Sequence, residues 1–294
     1  MQQVSESMKD HEWIWKKYIP RGCVTILAAK GGVGKSGLAL YIANTIAKEN
    51  KFKTLYVDYE QTTRHMSQRW RDWGYADVKD YVLIPVEKNN IGEYESVKPT
   101  FKEIRDIGLK NTIDLLIIDS MTSLYNRYDI ESRRGGSALI NELRELSVEL
   151  NCGLLLLAHT NKAVNDISQI SIDNITGSAA VVDMSRSVLF LTTDVNNERL
   201  RTIHHIKHNY TERSPDATFE LTSQGIVNFK ELKSLSKVKL FSGTKSEMWT
   251  SVMREGLLNG LTTKKELRKY VIDRGATQME ATRAYKALEN IINA

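Results

Sequence analysis

One stretch of the sequence, A-A-K-G-G-V-G-K-S from Ala28 to Ser36, has residue types and spacing suited to binding phosphate groups. It lies between an apolar run predicted to be a strand and a segment predicted to be a helix, where a phosphate-binding loop belongs. Gly31, Gly32 and Gly34 let backbone N–H groups turn inward around the phosphates. The N-terminus of the following helix adds the positive end of its dipole, so the stretch predicts a nucleotide site.

The end of this loop predicts how ATP and Mg²⁺ are held. The Lys35 ammonium is expected to reach the β and γ phosphates, and the Ser36 hydroxyl is expected to bind the metal. The usual first glycine of the motif G-x-x-x-x-G-K-[ST] is replaced by Ala29, and Lys30 stands inside the loop. The residues expected to contact the nucleotide are Lys30, Gly31, Gly32, Val33, Gly34, Lys35, Ser36 and Gly37.

Three later apolar runs end in polar side chains suited to hydrolysis. Glu60, in V-D-Y-E, is expected to polarise an attacking water, and Asp119, in D-L-L-I-I-D-S, to hold Mg²⁺ through Ser36 or water. His159, at the end of G-L-L-L-L-A-H, is expected to donate to the γ-phosphate as a neutral imidazole. The carboxyl ends of parallel strands meet at one edge of a sheet, so these side chains should lie together. The alternatives are an ordinary strand-end carboxylate for Glu60 and a structural core histidine for His159.

The elements that would position these residues follow an alternating pattern. Five runs rich in Val, Ile, Leu and Tyr begin at Val24, Thr54, Tyr81, Asp114 and Gly153. Each run is nearly continuous in apolar residues, which is typical of strands covered on both faces in a parallel sheet. Helical patterns lie between them at residues 34–49, 66–73, 94–109 and 136–150, and further runs at Ser187, Arg201, Ala217 and Gly225 predict antiparallel strands that finish the sheet. The series predicts an α/β fold with a mostly parallel central sheet.

The end of the chain predicts a small helical module. Residues 230–245 are polar, basic and weakly periodic, so we interpret them as a linker between an ATPase core at 1–229 and a helical domain at 246–294. Helices are predicted over 246–257, 263–273 and 277–292. The short glycine-containing turn before the last helix is typical of a helix-turn-helix or truncated winged helix. A helical cap for docking or oligomerisation is the alternative.

The composition excludes several classes of protein. With 294 residues, 41% of them apolar, the chain can bury one sizeable core and a second small module. It has no run near the roughly 20 apolar residues of a membrane span and no secretory signal, so we expect a cytoplasmic protein without membrane contact. Cys23 and Cys152 are too few for a disulfide framework and are expected to be buried thiols. The net charge is +5, and 13 basic against 7 acidic residues in 230–294 favour a solvated helical face or a polyanion partner.

Taken in order, the loop, V-D-Y-E at 57–60, L-I-I-D-S at 116–120, L-A-H-T at 157–160 and the segment 175–187 resemble RepA-type plasmid helicases. These are RecA-fold relatives of the DnaB replicative helicases. The resemblance covers about residues 12–229 and implies a RecA-like P-loop ATPase that moves along single-stranded DNA as a homo-oligomer, expected to be a hexamer, in plasmid, phage or mobile-element replication. K-G-G-V-G-K-S is also similar to the deviant Walker motif of ParA and MinD ATPases, but V-D-Y-E resembles the D-x-E of RecA-like proteins rather than the expected D-x-D-P.

The same resemblance implies cations that act on the nucleotide of a neighbouring subunit. Arg186 stands where RepA-type proteins place an arginine finger, and Lys207 resembles the lysine of the DnaB finger pair. Asn209 stands where the second arginine of that pair is expected, so Arg186 or Arg213 must compensate. A surface charge is the alternative for Arg186.

Two polar stretches, 126–136 and 161–176, correspond to loops that face DNA in RecA-like rings. Their basic residues, expected to neutralise phosphates, are Arg127, Arg133, Arg134 and Lys162. Only Tyr125 and Tyr128 accompany them as aromatic residues, and ordinary flexible loops are the alternative. The expected partners are single-stranded DNA, copies of the same chain and a replication initiator or primase. A partition ATPase and a non-motor regulator that reads duplex DNA are the alternative functions.

Overall fold

The computed structural model describes most of the chain, and its described residues form two compact units. One unit is built from residues within 12–160 and 174–232, and the other from residues within 245–292. The described residues are 12–60, 63–88, 90, 94–124, 128–160, 170, 174–177, 179–194, 197–209, 214–232, 245–258, 261–274 and 276–292.

The helices and strands alternate along the first unit. The strands are β1 (Trp13–Trp15), β2 (Ile19–Pro20), β3 (Val24–Ala29), β4 (Thr54–Asp58), β5 (Val82–Leu83), β6 (Val86–Lys88), β7 (Tyr94–Ser96), β8 (Leu115–Asp119), β9 (Gly153–His159), β10 (Ser187–Thr193), β11 (Leu200–His208), β12 (Ala217–Thr222) and β13 (Gly225–Glu231). The helices of this unit are α1 (Lys35–Asn50), α2 (Thr63–Asp72), α3 (Phe101–Asn111), α4 (Arg133–Glu149) and α5 (Ala179–Met184).

Nine of these strands form the central sheet, in the order β13-β12-β11-β10-β3-β9-β8-β4-β5. The six strands from β10 to β5 are parallel, whereas β11, β12 and β13 are added antiparallel. The predicted α/β fold with a mostly parallel sheet is confirmed. The strand at Ser187 was expected to be antiparallel, but β10 lies parallel to β3 and turns antiparallel only toward β11.

The near-continuous apolar composition of the central strands has the predicted structural cause. Every residue of β3, β4 and β8 is buried. The apolar face of α1 joins one core cluster with residues from one side of the central strands, including Leu27 of β3, Ile117 of β8 and Leu157 of β9. Helix α4 packs against β3 and β9, and its own buried side chains include Leu139 and Leu143. Two covered faces leave the ends of the strands as the places where polar side chains reach solvent.

Two predicted elements are shorter than expected because of proline. The run from Tyr81 contains Pro85, and the chain forms β5 before it and β6 after it, because proline cannot donate to a sheet ladder. The helix expected over residues 94–109 begins only at Phe101, and Tyr94–Ser96 is instead strand β7, which pairs with β6. Thr100 caps α3 in a capping box with Glu103, directly after Pro99.

The second unit is a three-helix bundle of α6 (Lys245–Leu258), α7 (Lys264–Ile272) and α8 (Gln278–Ile292). Thr263 caps α7 in a capping box with Glu266. Its core contains apolar residues from all three helices: Trp249 and Met253 of α6, Leu267 and Val271 of α7, and Ala281, Ala284 and Leu288 of α8. Strand β13 extends through Glu231, so it includes the first two residues of the interpreted linker.

The described part of the chain answers two further questions raised by composition. Cys23 and Cys152 are both buried, as expected, and neither forms a disulfide; burial raises the pKa of the Cys152 thiol to about 12. Among the described residues, no helix combines the length and the apolar composition needed to cross a membrane.

Candidate active site

The phosphate-binding loop lies between β3 and α1, at the carboxyl edge of the sheet. Gly32 has φ 81° and Gly34 has φ 108°, backbone values that favour glycine. A Cβ on Gly34 would also approach the Leu221 side chain to 2.7 Å. Helix α1 begins at Lys35, and the Leu38 N–H donates to the Gly34 carbonyl. The loop therefore has the strand, turn and helix context that its sequence predicts.

Lys35 points back into the loop from the first turn of α1. Its Nζ atom donates to the carbonyl oxygens of Ala29 at 2.9 Å and Lys30 at 3.3 Å, and lies 3.4 Å from Nδ1 of His159. Burial lowers the pKa of Lys35, while the carboxylates of Asp119 and Glu60 act to raise it. The ammonium is thus held by neutral acceptors that an anionic phosphate would outcompete.

His159 links Lys35 to Glu60 at the end of β9. Its Nε2 atom lies 3.0 Å from Oε1 of Glu60. An ammonium can only donate, so Nδ1 beside Lys35 is the acceptor and Nε2 carries the proton. The neutral imidazole expected from the sequence is therefore consistent with both contacts, and its N–H is directed at the carboxylate.

Glu60 follows β4 and collects several donors. Ser120 donates to Oε1, Thr122 donates to the same oxygen at 3.2 Å, and His159 donates as described. Burial acts to raise the pKa of Glu60, but the interactions with these three side chains, hydrogen bonds and the electrostatic effect of His159 together, outweigh it and lower the pKa. The Glu60 N–H in turn donates to Oδ1 of Asp58 at 2.9 Å, which turns the chain after the strand. Glu60 is thus an ionised, oriented carboxylate next to Lys35.

Asp119 ends β8 and is almost completely buried beneath the loop. It accepts a hydrogen bond from Ser36, and the Tyr56 hydroxyl donates to its Oδ2 at 2.8 Å. Burial raises the pKa of Asp119, and the two hydrogen bonds act against that rise. The peptide bond between Asp119 and Ser120 is cis.

The donor set at this place fits Mg²⁺. A hydroxyl and a carboxylate in contact supply the oxygen ligands that Mg²⁺ prefers, and this ion completes its shell with water and substrate phosphates. The described residues contain no group of three or more His, Cys, Asp or Glu that would form an all-protein metal cage. Ser36 and Asp119 therefore fit an ion shared with a nucleotide.

Sequence reasoning missed Arg201, which supports the loop from β11. Its Nε atom donates to the Val33 carbonyl at 2.7 Å, and its Nη1 atom donates to the carbonyl oxygens of Glu198 and, at 3.2 Å, Leu200. The residue is 9% exposed, and burial lowers its pKa. Arg201 lies 165 positions beyond the loop motif, and its residue type does not predict a contact with the loop. The antiparallel pairing of β11 in the sheet brings Arg201 to the loop.

A cavity of about 600 Å³ opens beside the loop and was also not predicted. Gly34 and Gly37 form part of its wall, and Trp73 and Leu221 contribute apolar surface. A Cβ on Gly37 would approach the Trp73 ring to 2.9 Å, so glycine there allows the ring to lie against α1. The cavity reaches Gly37, which directly follows Lys35 and Ser36. Its size and lining suit the base and sugar of a nucleotide.

Arg186 and Lys207 lie at the opposite edge of the sheet from Lys35. The Arg186 N–H donates to the carbonyl of Val24, the first residue of β3, whereas the loop follows the last residue of that strand. Five residues of strand separate the two ends by ~16 Å. Lys207 pairs with Val188, and its Nζ donates to the carbonyl oxygens of Val182 at 2.9 Å and Asp183 at 2.7 Å. Neither cation reaches the site in its own subunit.

These two cations lie close to each other. Burial is the largest cause of the lowered pKa of Lys207, and the neighbouring positive charge of Arg186 lowers it further. Arg186 is exposed. Arg213, considered as a substitute, is outside the described residues.

The stretches expected to contact DNA are only partly described. Arg133 and Arg134 were placed in a loop, but they are exposed in the first turn of α4, because Ser132 caps the helix by accepting from the Gly135 N–H at 3.0 Å. Tyr128 stacks on Phe101 and donates to Glu142, so it is occupied within the protein. The remaining named side chains, Tyr125, Arg127 and Lys162, lie outside the described residues.

The fold and the loop together define a RecA-like P-loop nucleotide-binding protein, and comparisons with known proteins agree. A KaiC-like protein from Pyrococcus horikoshii has the same fold, with a TM-score of 0.53 and 18% identity over 75% of this chain and 97% of that one. The model of the AAA domain family matches residues 2–165, and the chain belongs to that family.

The chain is also similar in sequence to proteins named for DNA repair. The DNA repair protein RadA of Campylobacter jejuni is 28% identical over 231 residues, covering 76% of this chain and 46% of that protein. RadA of Helicobacter pylori strain 26695 is 30% identical, covering 74% of this chain and 44% of that protein. The DNA repair and recombination protein RadB of Archaeoglobus fulgidus is 26% identical, covering 71% and 90%. The chain thus spans less than half the length of the RadA relatives, and these matches support the RecA-like ATPase superfamily.

Proposed function

We propose that the first unit hydrolyses ATP with Mg²⁺ and that single-stranded DNA controls this turnover. The observation that carries the proposal is the hydrogen-bonded series from Lys35 through His159 to Glu60, directly beside the phosphate-binding loop. It joins a phosphate-binding cation to a carboxylate able to orient water. We assign residues 1–229 to this ATPase core, 230–245 to a linker and 246–294 to a separate helical domain.

Lys35 and Glu60 have distinct roles in this proposal. Lys35 leaves its carbonyl acceptors and binds the β and γ phosphates, because a charged acceptor makes the stronger hydrogen bond. Glu60, kept ionised by its donors, accepts a hydrogen bond from the attacking water. It takes the proton of that water as the bond to the γ-phosphorus forms and the bond from that phosphorus to the bridging oxygen of ADP breaks. His159 donates to Glu60 before ATP binds and to the γ-phosphate afterwards, so its contacts change when that phosphate leaves.

The backbone of residues 30–37 surrounds the phosphates, and Ser36 and Asp119 hold the metal. Mg²⁺, when bound, would supply positive charge that offsets the negative charge of the phosphates. The Tyr56 hydroxyl keeps Asp119 oriented by donating to its Oδ2 atom at 2.8 Å. Arg201 keeps the loop in its binding shape through the Val33 carbonyl.

Arg186 and Lys207 complete the site of a neighbouring subunit in this proposal. Their position at the amino edge of the sheet excludes action on the nucleotide of their own chain, whereas two adjacent cations suit charge stabilisation in trans. The chain would then assemble with further copies, and we propose a ring of six. A replication initiator or primase is the proposed loading partner.

The finer proposal is an ATP-driven translocase or helicase on single-stranded DNA. A recombination or repair activity is the second candidate, and the observation favouring it is the naming of the RadA and RadB relatives as DNA repair proteins. The partition-ATPase alternative is less well supported, since the sequence relatives are RecA-like. Unwinding of a forked duplex supports the helicase. Strand exchange between homologous molecules, with no unwinding of the forked duplex, supports the second candidate.

The experiment that tests the core proposal is steady-state ATP turnover with no DNA, single-stranded DNA or duplex DNA at low salt. We expect selective stimulation by the single strand and its loss in Glu60→Gln. Turnover stimulated by duplex alone, or unaffected by either DNA, would contradict a single-strand-controlled ATPase. Wild-type turnover in Glu60→Gln would remove Glu60 from the mechanism.

A further inference from the structure

The second unit contains two helices joined by a tight turn. Helix α7 ends at Ile272 and α8 begins at Gln278, and the described residues between them are Asp273, Arg274, Ala276 and Thr277. Ala276 is buried in the turn, and its N–H donates to the Val271 carbonyl at 3.0 Å. The 15-residue α8 packs on α6 and α7 through the core residues Ala281, Ala284 and Leu288. This connection matches the helix-turn-helix arrangement.

The side of α8 that does not enter this core carries polar and basic groups. Its exposed residues in the first three turns are Gln278, Met279, Thr282, Arg283 and Lys286. Glu280 is the acidic residue of this stretch, and it is bound to Thr277, whose N–H and hydroxyl both donate to its Oε2 at 2.9 Å.

Helix α7 continues this basic surface from its N-terminus. Lys264 and Lys265 are exposed, and the Lys264 ammonium lies 4.9 Å from the ring centre of Tyr285 on α8. Arg268 donates to Oε1 of Gln278 at 3.1 Å. Glu266 on the same helix accepts from Thr263 and so caps α7. The two contacts between the helices show that their basic residues form one continuous surface.

We propose that this surface binds duplex DNA, with the exposed side of α8 in the major groove. We call it the α7–α8 surface and define it as Lys264, Lys265, Arg268, Gln278, Thr282, Arg283 and Lys286. The proposal is independent of ATP hydrolysis by the first unit. It assigns a second nucleic-acid site to the chain, one that distinguishes duplex from single strand.

The residue types on α8 suit base recognition. Gln side chains pair with adenine and Arg side chains with guanine in the major groove, while Thr contacts either base edges or a thymine methyl group. Gln278, Thr282 and Arg283 occupy the first two turns, the part of a recognition helix that meets base edges. Lys264 and Lys265 at the start of α7 are placed to contact phosphates, as the first helix of this motif does.

Duplex DNA fits this surface better than a single strand or a protein. Single-strand binding relies on exposed aromatic rings for stacking, but the described rings of this unit are covered. Trp249 is buried, Lys264 lies over Tyr285, and Arg274 lies 3.5 Å from the ring centre of Tyr270. Among the described residues of α7 and α8, Met279 is the exposed large apolar side chain, which is little for a protein interface.

The experiment measures binding of the full chain to a labelled duplex and to a single strand of the same sequence, by fluorescence anisotropy without nucleotide. The variant is Arg283→Ala with Lys286→Ala. Its control is Arg254→Ala with Lys269→Ala, which removes two exposed cations of the same unit outside the defined surface. We expect duplex affinity to fall about tenfold or more in the variant and much less in the control, with a salt slope smaller by about 1 to 2.

Selection from a random duplex library tests base recognition. It also distinguishes a lost base contact from a misfolded variant, because only a lost contact changes the preference at a single position. We expect the wild type to enrich a short sequence, Gln278→Ala to lose preference at one position, and Arg283→Lys to keep affinity but lose selectivity. Equal duplex binding by the surface variant and the control overturns the proposal, as does a loss of single-strand affinity in the variant as large as its loss of duplex affinity. ATP turnover without DNA is measured on each variant; unchanged turnover with lost duplex binding separates this site from the ATPase.

Discussion

The two edges of the central sheet differ in which charged side chains they bring together. At the carboxyl edge, Lys35, His159 and Glu60 contact one another in a continuous series, and Asp119 lies beneath them. At the amino edge, Arg186 and Lys207 are adjacent cations, and Lys207 donates to the backbone carbonyls of Val182 and Asp183 at the end of α5. The carboxyl edge thus combines a cation with carboxylates in one connected set, whereas the amino edge brings two cations together.

The difference has a topological cause. Parallel strands bring the residues that follow β3, β4, β8 and β9 to the same edge, so a single chain can assemble that site. Arg186 precedes a parallel strand and Lys207 lies late in an antiparallel one, so both are directed to the far edge. In the proposed function, a single chain therefore supplies the nucleotide site, whereas full turnover needs a second copy.

The largest expected effect is that of Lys35→Ala. Removing the ammonium that meets the phosphates should abolish ATP binding and reduce turnover by about 10³-fold or more. Binding is measured with a fluorescent ATP analogue and turnover by phosphate release. Lys48→Ala, on the outer side of the same helix, removes a surface ion pair with Asp77 and should leave both unchanged. Near-normal binding by Lys35→Ala would place the phosphates elsewhere.

Glu60→Gln should separate binding from hydrolysis at the same edge. The amide keeps the shape of the side chain but cannot accept the proton of the attacking water, so turnover should fall by about 10²- to 10⁴-fold. ATP affinity should stay within a few-fold of the wild type. A parallel loss of affinity and turnover would mean that Glu60 holds the site together rather than orienting water.

Arg186→Ala tests the amino edge. Turnover should fall by about 10²-fold, less than the loss reported for lone arginine fingers, because Lys207 remains beside it. Binding of ATP should persist. Mixing Arg186→Ala with Lys35→Ala should restore some turnover, since an interface can then combine an intact loop from one subunit with an intact Arg186 from the other. No recovery in the mixture would return Arg186 to a surface charge.

The sequence was sufficient for the parts of this comparison that depend on local pattern. The loop, the buried strands and the placement of Glu60, Asp119 and His159 at strand ends all follow from apolar runs and the residues that end them. The antiparallel finish of the sheet followed in the same way, except that β10 is parallel to β3. Its two different neighbours, one parallel and one antiparallel, leave no trace in its own composition.

What the sequence could not predict depends on contacts between distant segments. Arg201 reaches Val33 across 168 positions, and Ser120 and Thr122 reach Glu60 across 60 and 62. Arg, Ser and Thr are common surface residues, so their types alone carry no signal. The polar residues around Arg133 and Arg134 favour a loop by type, whereas the cap that Ser132 forms starts α4 at Arg133.

Arg201→Met should weaken the carboxyl edge without touching its chemistry. The variant removes a charged hydrogen bond to the Val33 carbonyl, worth about 1.5–3 kcal/mol, so ATP affinity should fall by roughly 10-fold or more. The rate at saturating ATP should change little, because Arg201 positions the loop and does not meet the phosphates. Arg199→Met, a nearby exposed residue, is the matched control. An equal loss of rate at saturation would instead give Arg201 a part in the reaction.

The smallest effect concerns the acid side of the pH profile of turnover. Interactions with Ser120, His159 and Thr122 hold the pKa of Glu60 below its ordinary value against the effect of burial, and in the proposed mechanism Ser120 and Thr122 still donate to the carboxylate when His159 turns to the γ-phosphate. Ser120→Ala removes one donor and raises that pKa, and turnover should therefore begin to fall at a higher pH than in the wild type. Thr122→Val removes a longer bond of 3.2 Å and should cause a smaller shift in the same direction. Profiles that coincide on the acid side would mean that another group limits the rate there, even if Glu60→Gln is inactive.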